Sequence, residues 1–143
     1  MSIRIENSQL LNVQTVEAVV TGPDEANRLI TVAGIARMNL GASTSTANTV
    51  VTKVETFTVL VGPRLTRRQF HKAIASVSLV GLSSEGPAAA DWTVLGGDAD
   101  WDDEAERVEL RVELRVAAQV FNSGSEAVLI KGFGFQVTIL AQL

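Results

Sequence analysis

The chain has 143 residues with a net charge of −4 and a pI near 5.0. That length suits one domain with a continuous core, and the acidic balance argues against a general nucleic-acid binder, whose phosphate contacts need a basic surface. There is no Cys and no Tyr, and aromatics make up only 5%. This excludes a disulfide framework, a thiolate metal site and a cysteine nucleophile, and leaves few aromatic planes for sugars or bases.

A short strand is expected over residues 3–6. A long one follows over 10–21, carrying Leu11, Val13, Val16, Val19 and Val20. The cluster Gly22, Pro23, Asp24, Glu25, Ala26 and Asn27 has turn chemistry, so the chain should return through residues 28–40 as a β-hairpin. Gly34 inside the return strand marks a bulge or a close backbone approach. Residues 41–48 are small, polar and uncharged and read as an exposed loop. Residues 49–61 are dense in β-branched side chains and give a third long strand, ended by Gly62 and Pro63.

One α-helix is expected, over about residues 66–74. Thr66 and Gln69 have capping-box spacing, Leu65, Phe70, Ala73, Ile74 and Val77 fall roughly on one face, and Arg67, Arg68 and Lys72 take the other. Residues 75–82 read as a strand and 83–90 as a Gly-Pro loop. A second hairpin spans 91–101 and 107–120, with a polar loop at 122–126 and a last strand over 127–140.

The strand on which the others depend lies at 107–116. Val108, Leu110, Val112, Leu114 and Val116 alternate with Arg107, Glu109, Arg111, Glu113 and Arg115. Period two gives one dry face and one charged face, and a second layer must cover the dry one. The fold expected is all-β: an antiparallel β-sandwich or barrel of about seven long strands plus the short helix. Asp103, Glu104, Ala105, Glu106, Arg107 and Val108 resemble residues 24–29, so residues 10–62 and 75–141 read as two pseudo-repeated halves of one domain. Long strands with a single helix resemble phage tail-tube subunits at the level of architecture, a likeness that no motif carries.

Three constellations bear on function. Asp98, Asp100, Asp102 and Glu109 follow the spacing of carboxylates in a calcium loop, but Asp103 occupies the position that demands Gly, and a solvated hairpin tip is the alternative. Arg64, Arg67, Arg68, His71 and Lys72 form a basic run that is open to three readings: a phosphate site, the wet face of the helix, or one half of a contact between copies. In the third reading its complement is the acidic set Asp102, Asp103, Glu104 and Glu106, meeting it head-to-tail across a subunit boundary. His71 is the only histidine, and its neighbours give no nucleophile elbow. Gly132, Phe133, Gly134 and Phe135 lie within a strand, where glycine gives a sheet room to curve or lets another backbone press close. Trp92 and Trp101 are expected to seal the two ends of the core.

Residues 1–10 are interrupted by Arg4, Glu6 and Asn7 and lack the apolar core of a signal peptide. No apolar run approaches the roughly 18 residues of a membrane helix. The location expected is the cytoplasm or a particle assembled there. The function expected is a non-enzymatic structural subunit that self-associates, with itself as partner and no cofactor, nucleic acid or membrane. The alternative is a small-molecule or carbohydrate-binding β-module, with a pocket near Trp92, Phe133 and Phe135.

Overall fold

A computed structural model describes residues 2–23, 25–85, 89–121 and 124–143. The strands are β1 (Ser2–Arg4), β2 (Leu10–Thr21), β3 (Ala26–Thr44), β4 (Thr49–Val61), β5 (Phe70–Glu85), β6 (Ala89–Asp102), β7 (Arg107–Val120) and β8 (Glu126–Gln142). They form a sandwich of two four-stranded sheets, ordered β1-β4-β7-β6 and β2-β3-β8-β5. All neighbours are antiparallel except β1 and β4. Advancing each strand of one sheet by four turns its order into that of the other, so β2-β3-β8-β5 corresponds to β6-β7-β4-β1.

Strand β7 lies inside its sheet, between β4 and β6, and its alternation sets the core. Val108, Leu110, Val112, Leu114 and Val116 are all 0% exposed, and complete burial of each such side chain contributes about 1.5–3 kcal/mol. Across the interlayer space stand Ile30, Val32 and Leu40 of β3 and Ile130, Val137 and Ile139 of β8. Phe133 joins the layers, with its ring centroid 6.2 Å from that of Phe57 and 6.4 Å from that of Phe135.

The helix expected over residues 66–74 is absent; among the described residues the one helical element is a 3₁₀ turn at Asn7–Gln9. The capping pair does form. The Thr66 amide donates to Gln69 Oε1 at 2.9 Å and the Gln69 amide to Thr66 Oγ1 at 3.3 Å. They close a single turn, after which Phe70–Glu85 runs extended. Ala73, Ala75, Val77 and Leu79 alternate onto the core, and the backbone ladder to β8 runs along the whole strand. The helical spacing of Phe70, Ala73, Ile74 and Val77 was a coincidence within a period-two run. Ladder bonds plus burial of one face outweigh the few tenths of a kcal/mol per residue that separate helix propensities.

Two predicted loops also shorten. β3 continues through Ala42 and Thr44, which turn inward and pair with the start of β8, and β5 extends to Glu85. Asp24 in the first turn, 86–88 in the Gly-Pro loop and 122–123 in the last polar loop lie outside the described residues.

The glycines predicted to allow close approach do so. A Cβ on Gly132 would stand 2.8 Å from the Ala36 carbonyl oxygen, backbone that cannot swing away. One on Gly34 would stand 3.0 Å from Val13 Cγ2, where the β2–β3 register shifts between Leu11 and Gln14. Asn12, with φ 53°, supplies the left-handed residue of that bulge.

Candidate functional site

The two sheets treat their edges differently, and that contrast is the main feature of the surface. In the β1-β4-β7-β6 sheet, edge strand β6 carries Asp91, Asp98, Asp100 and Asp102, and the opposite side presents Arg4 on β1 with Lys53 and Glu55 on β4. Charges at a sheet edge oppose the addition of another strand. In the β2-β3-β8-β5 sheet, edge strand β2 has Glu17 as its single charge. On β5 the ionisable residues stand at the strand ends, His71 and Lys72 at one and Glu85 at the other.

These unguarded edges are also apolar. Val13, Val16, Val19 and Val20 are exposed on β2, and Ile74, Val80 and Leu82 on β5. The ladder explains part of this. Thr15 and Glu17 pair with the inward-facing Val32 and Ile30, so they turn toward the interior side, while Val16, Ala18 and Val20 share the outer face with Thr31, Leu29 and Asn27. Val19 keeps to the side of Glu17, opposite Arg28, and Val13 lines a cleft on that side, so the strand carries exposed valines on both of its faces.

Beneath the interior side of β2 the sandwich is open. A cleft of ≈ 540 Å³ is lined by Leu10, Val13, Val32, Leu60 and Phe135, with Glu17, Arg28 and Arg107 supplying charge. Arg28 holds Glu17 through two hydrogen bonds, and this contact keeps the Glu17 carboxyl below the usual glutamate range. The same contact raises Arg28. Arg107 donates from Nε to the Gly62 carbonyl at 2.9 Å.

The calcium spacing has no loop to serve. Asp98, Asp100 and Asp102 lie in β6 and Glu109 lies opposite Asp100 in β7, both extended. Asp100 Oδ1 accepts from the Trp101 amide and Asp102 Oδ2 from the Ala105 amide, each at 2.8 Å, and Glu109 pairs with Arg4 at 3.3 Å. No group of three His, Cys, Asp or Glu side chains is placed to hold a metal ion among the described residues. A strand sets alternate residues roughly 7 Å apart along its axis, and Asp100, Asp102 and Glu109 are each already engaged by another group.

The basic and acidic runs lie side by side within one chain. Arg64 pairs with Glu106 at 3.2 Å, the Leu65 amide donates to the Glu106 carbonyl at 2.8 Å, and Arg67 and Asp103 line one depression with Phe70, Asp100 and Trp101. Arg68, Lys72 and Glu104 are exposed around them, and Asp102 is half-buried. Charges that neutralise each other locally do not make two separated patches of opposite sign. His71 lies exposed on β5.

On the β7 outer face, Arg115 pairs with Asp91 at 2.9 Å, while Arg111 and Glu113 are exposed. Trp92 packs against the core and donates to the Leu129 carbonyl at 3.3 Å; Trp101, half-buried, donates to the Leu65 carbonyl at 2.9 Å. Phe133 and Phe135 are core residues, although Phe135 also reaches the cleft.

Sequence reasoning did not single out the exposed aliphatic edges. The signal was present: residues 14–21 carry Val at both odd and even positions, which a strand with one wet face would not require. Nor did it find Glu126, which is 1% exposed with neither carboxylate oxygen hydrogen-bonded among the described residues. In comparisons with known proteins, no family model, curated protein or solved structure matches the chain. No helix among the described residues is long and apolar enough to cross a membrane.

Proposed function

We propose that this protein is a non-enzymatic structural subunit that associates with copies of itself into a ring, tube, filament or shell. The observation that carries the reading is the pair of long sheet edges, β2 and β5, whose aliphatic side chains are exposed and whose central residues bear no charge except Glu17. An edge of that kind in a lone monomer is an aggregation site, and natural monomers blunt it with charge, proline or short length. The other sheet of this chain is guarded by charge. The partner is the chain itself, and no cofactor, nucleic acid or membrane enters the role. The basic and acidic runs contribute solubility at one end.

Light scattering on the purified protein, at low and high salt, tests this. A uniform particle many times the 15.2 kDa chain mass, persisting in high salt because apolar contacts hold it, is the expected result. A 15.2 kDa species at all concentrations refutes it. A small-molecule module is the second reading, favoured by the ≈ 540 Å³ cleft beside Arg107, whose size falls in the range of ligand pockets. It predicts a monomer or dimer.

A further inference from the structure

The unguarded edges have a row relation that specifies how two copies meet. Following the ladders across the β2-β3-β8-β5 sheet, Val16 stands opposite Thr31, Thr31 opposite Thr138, and Thr138 opposite Ile74. Val16 and Ile74 therefore occupy one row at opposite edges. They are also the two most exposed large hydrophobics of the described chain, at 69% and 68%. The next row of the same face runs Ala18, Leu29, Leu140 and Lys72, and the row on the other side Gln14, Ala33, Gln136 and Ser76.

Strand direction reverses at each step, since every pair in this sheet is antiparallel. β2 and β5 consequently run in opposite senses. A second copy placed beside the first in the same orientation sets its β2 antiparallel to the first copy's β5 and continues the alternation. Residues 14–21 of β2 and 72–80 of β5 hold constant register with β3 and β8 and have no further strand in the ladder, although Gly97 of β6 packs against Val77 from the other layer. At about 3.4 Å per residue each spans roughly 27–31 Å.

We infer that copies join head-to-tail, β2 of one against β5 of the next, with Val16 packed on Ile74 and the backbone ladder carried across the boundary. This deepens the self-assembly reading and rests on it. A heterologous contact of this type uses both unguarded edges with a single operator, closing into a ring or continuing as a filament. A two-fold contact of β2 with β2 would leave β5 bare and bring two Glu17 side chains near the same interface, and like charges across a pair of strands oppose it.

Charge pairs at the two exposed positions test the direction of the contact. Because both side chains point to solvent in the isolated chain, Val16→Lys and Ile74→Asp leave the core untouched; far-ultraviolet circular dichroism should match the parent. Each single variant should sediment as a monomer. The double variant, Val16→Lys with Ile74→Asp in one chain, should regain the parent particle at low salt, since the introduced ammonium of one copy then meets the introduced carboxylate of the next, and lose it in high salt.

The chain has no Cys, so single-cysteine variants Val16→Cys and Ile74→Cys with a short bismaleimide give a second readout: cross-linked dimers from the mixture and none from either variant alone. Cross-linking within one variant alone, or single charge variants that assemble normally, overturns the head-to-tail contact while leaving self-assembly intact. A parent protein that stays monomeric overturns both.

Discussion

Replacing Glu126 should stabilise the protein. Its side chain is 1% exposed and shares the inner face with Thr44 across the β3–β8 ladder, and both carboxylate oxygens lack a hydrogen-bond partner among the described residues. A charged group buried without a partner costs several kcal/mol, and a neutral polar group left unsatisfied costs about 1–3 kcal/mol. Glu126→Met keeps the reach of the side chain and removes both oxygens, so a gain of about 2 kcal/mol is expected.

Unfolding entropy is about 2.1 cal/mol/K per residue, which for 143 residues converts that gain into a melting temperature about 7 °C higher. Glu126→Gln, which still buries an amide, should gain less. Urea unfolding and calorimetry would read this, with parent and variants at one protein concentration because association adds concentration-dependent stability. A Met variant less stable than the parent by about 1 kcal/mol or more would refute the reasoning, since the carboxylate would then be holding a favourable contact.

The two faces of β7 should respond oppositely to truncation. Leu114→Ala, at 0% exposure, should cost about 2–5 kcal/mol, whereas Glu113→Ala, on the exposed side, should stay within about 0.5 kcal/mol; equal effects in urea unfolding would contradict the alternation. Gly132→Ala should destabilise the protein measurably, because the new methyl meets the Ala36 carbonyl oxygen at 2.8 Å, and an unchanged melting temperature would show that β3 yields there. Glu17 should titrate below the ordinary glutamate range, chiefly because Arg28 hydrogen-bonds its carboxylate. A group depressed in the folded state contributes its stability above the unfolded pKa and loses it as pH falls through the folded value, so this pair holds at neutral pH and fails in acid. Arg28→Gln should return the Glu17 midpoint, followed by side-chain carboxyl NMR, to the ordinary range; no movement would disprove the assignment.

Period-two alternation is a local property of the chain, and wherever it was strict the fold could be read directly. The dry and charged faces of β7, the β2–β3 and β6–β7 hairpins and the close approaches at Gly34 and Gly132 all follow from steric and burial rules that act within a few residues. Where two periods overlapped, as over residues 66–77, local signals were divided. The Thr66–Gln69 cap was correct and the helix was not, because the ladder to β8, more than fifty residues away, favours the extended chain.

The calcium spacing was likewise open to two readings in the sequence, and the structure sets Asp98, Asp100 and Asp102 along the extended strand β6 with Glu109 opposite Asp100. Only the tertiary structure decided which strands became edges. Val16 and Ile74 are ordinary strand residues in the sequence, and on the same outer face the interior-strand residues Thr31 and Thr138 are only half-buried. They lie on the outer face and Val16 and Ile74 are its most exposed large hydrophobic side chains because β2 and β5 end their sheet, and strand order depends on pairing between distant segments rather than on the composition of either one. The same dependence hides Glu126, whose burial is set by the β3 ladder and the layer opposite it.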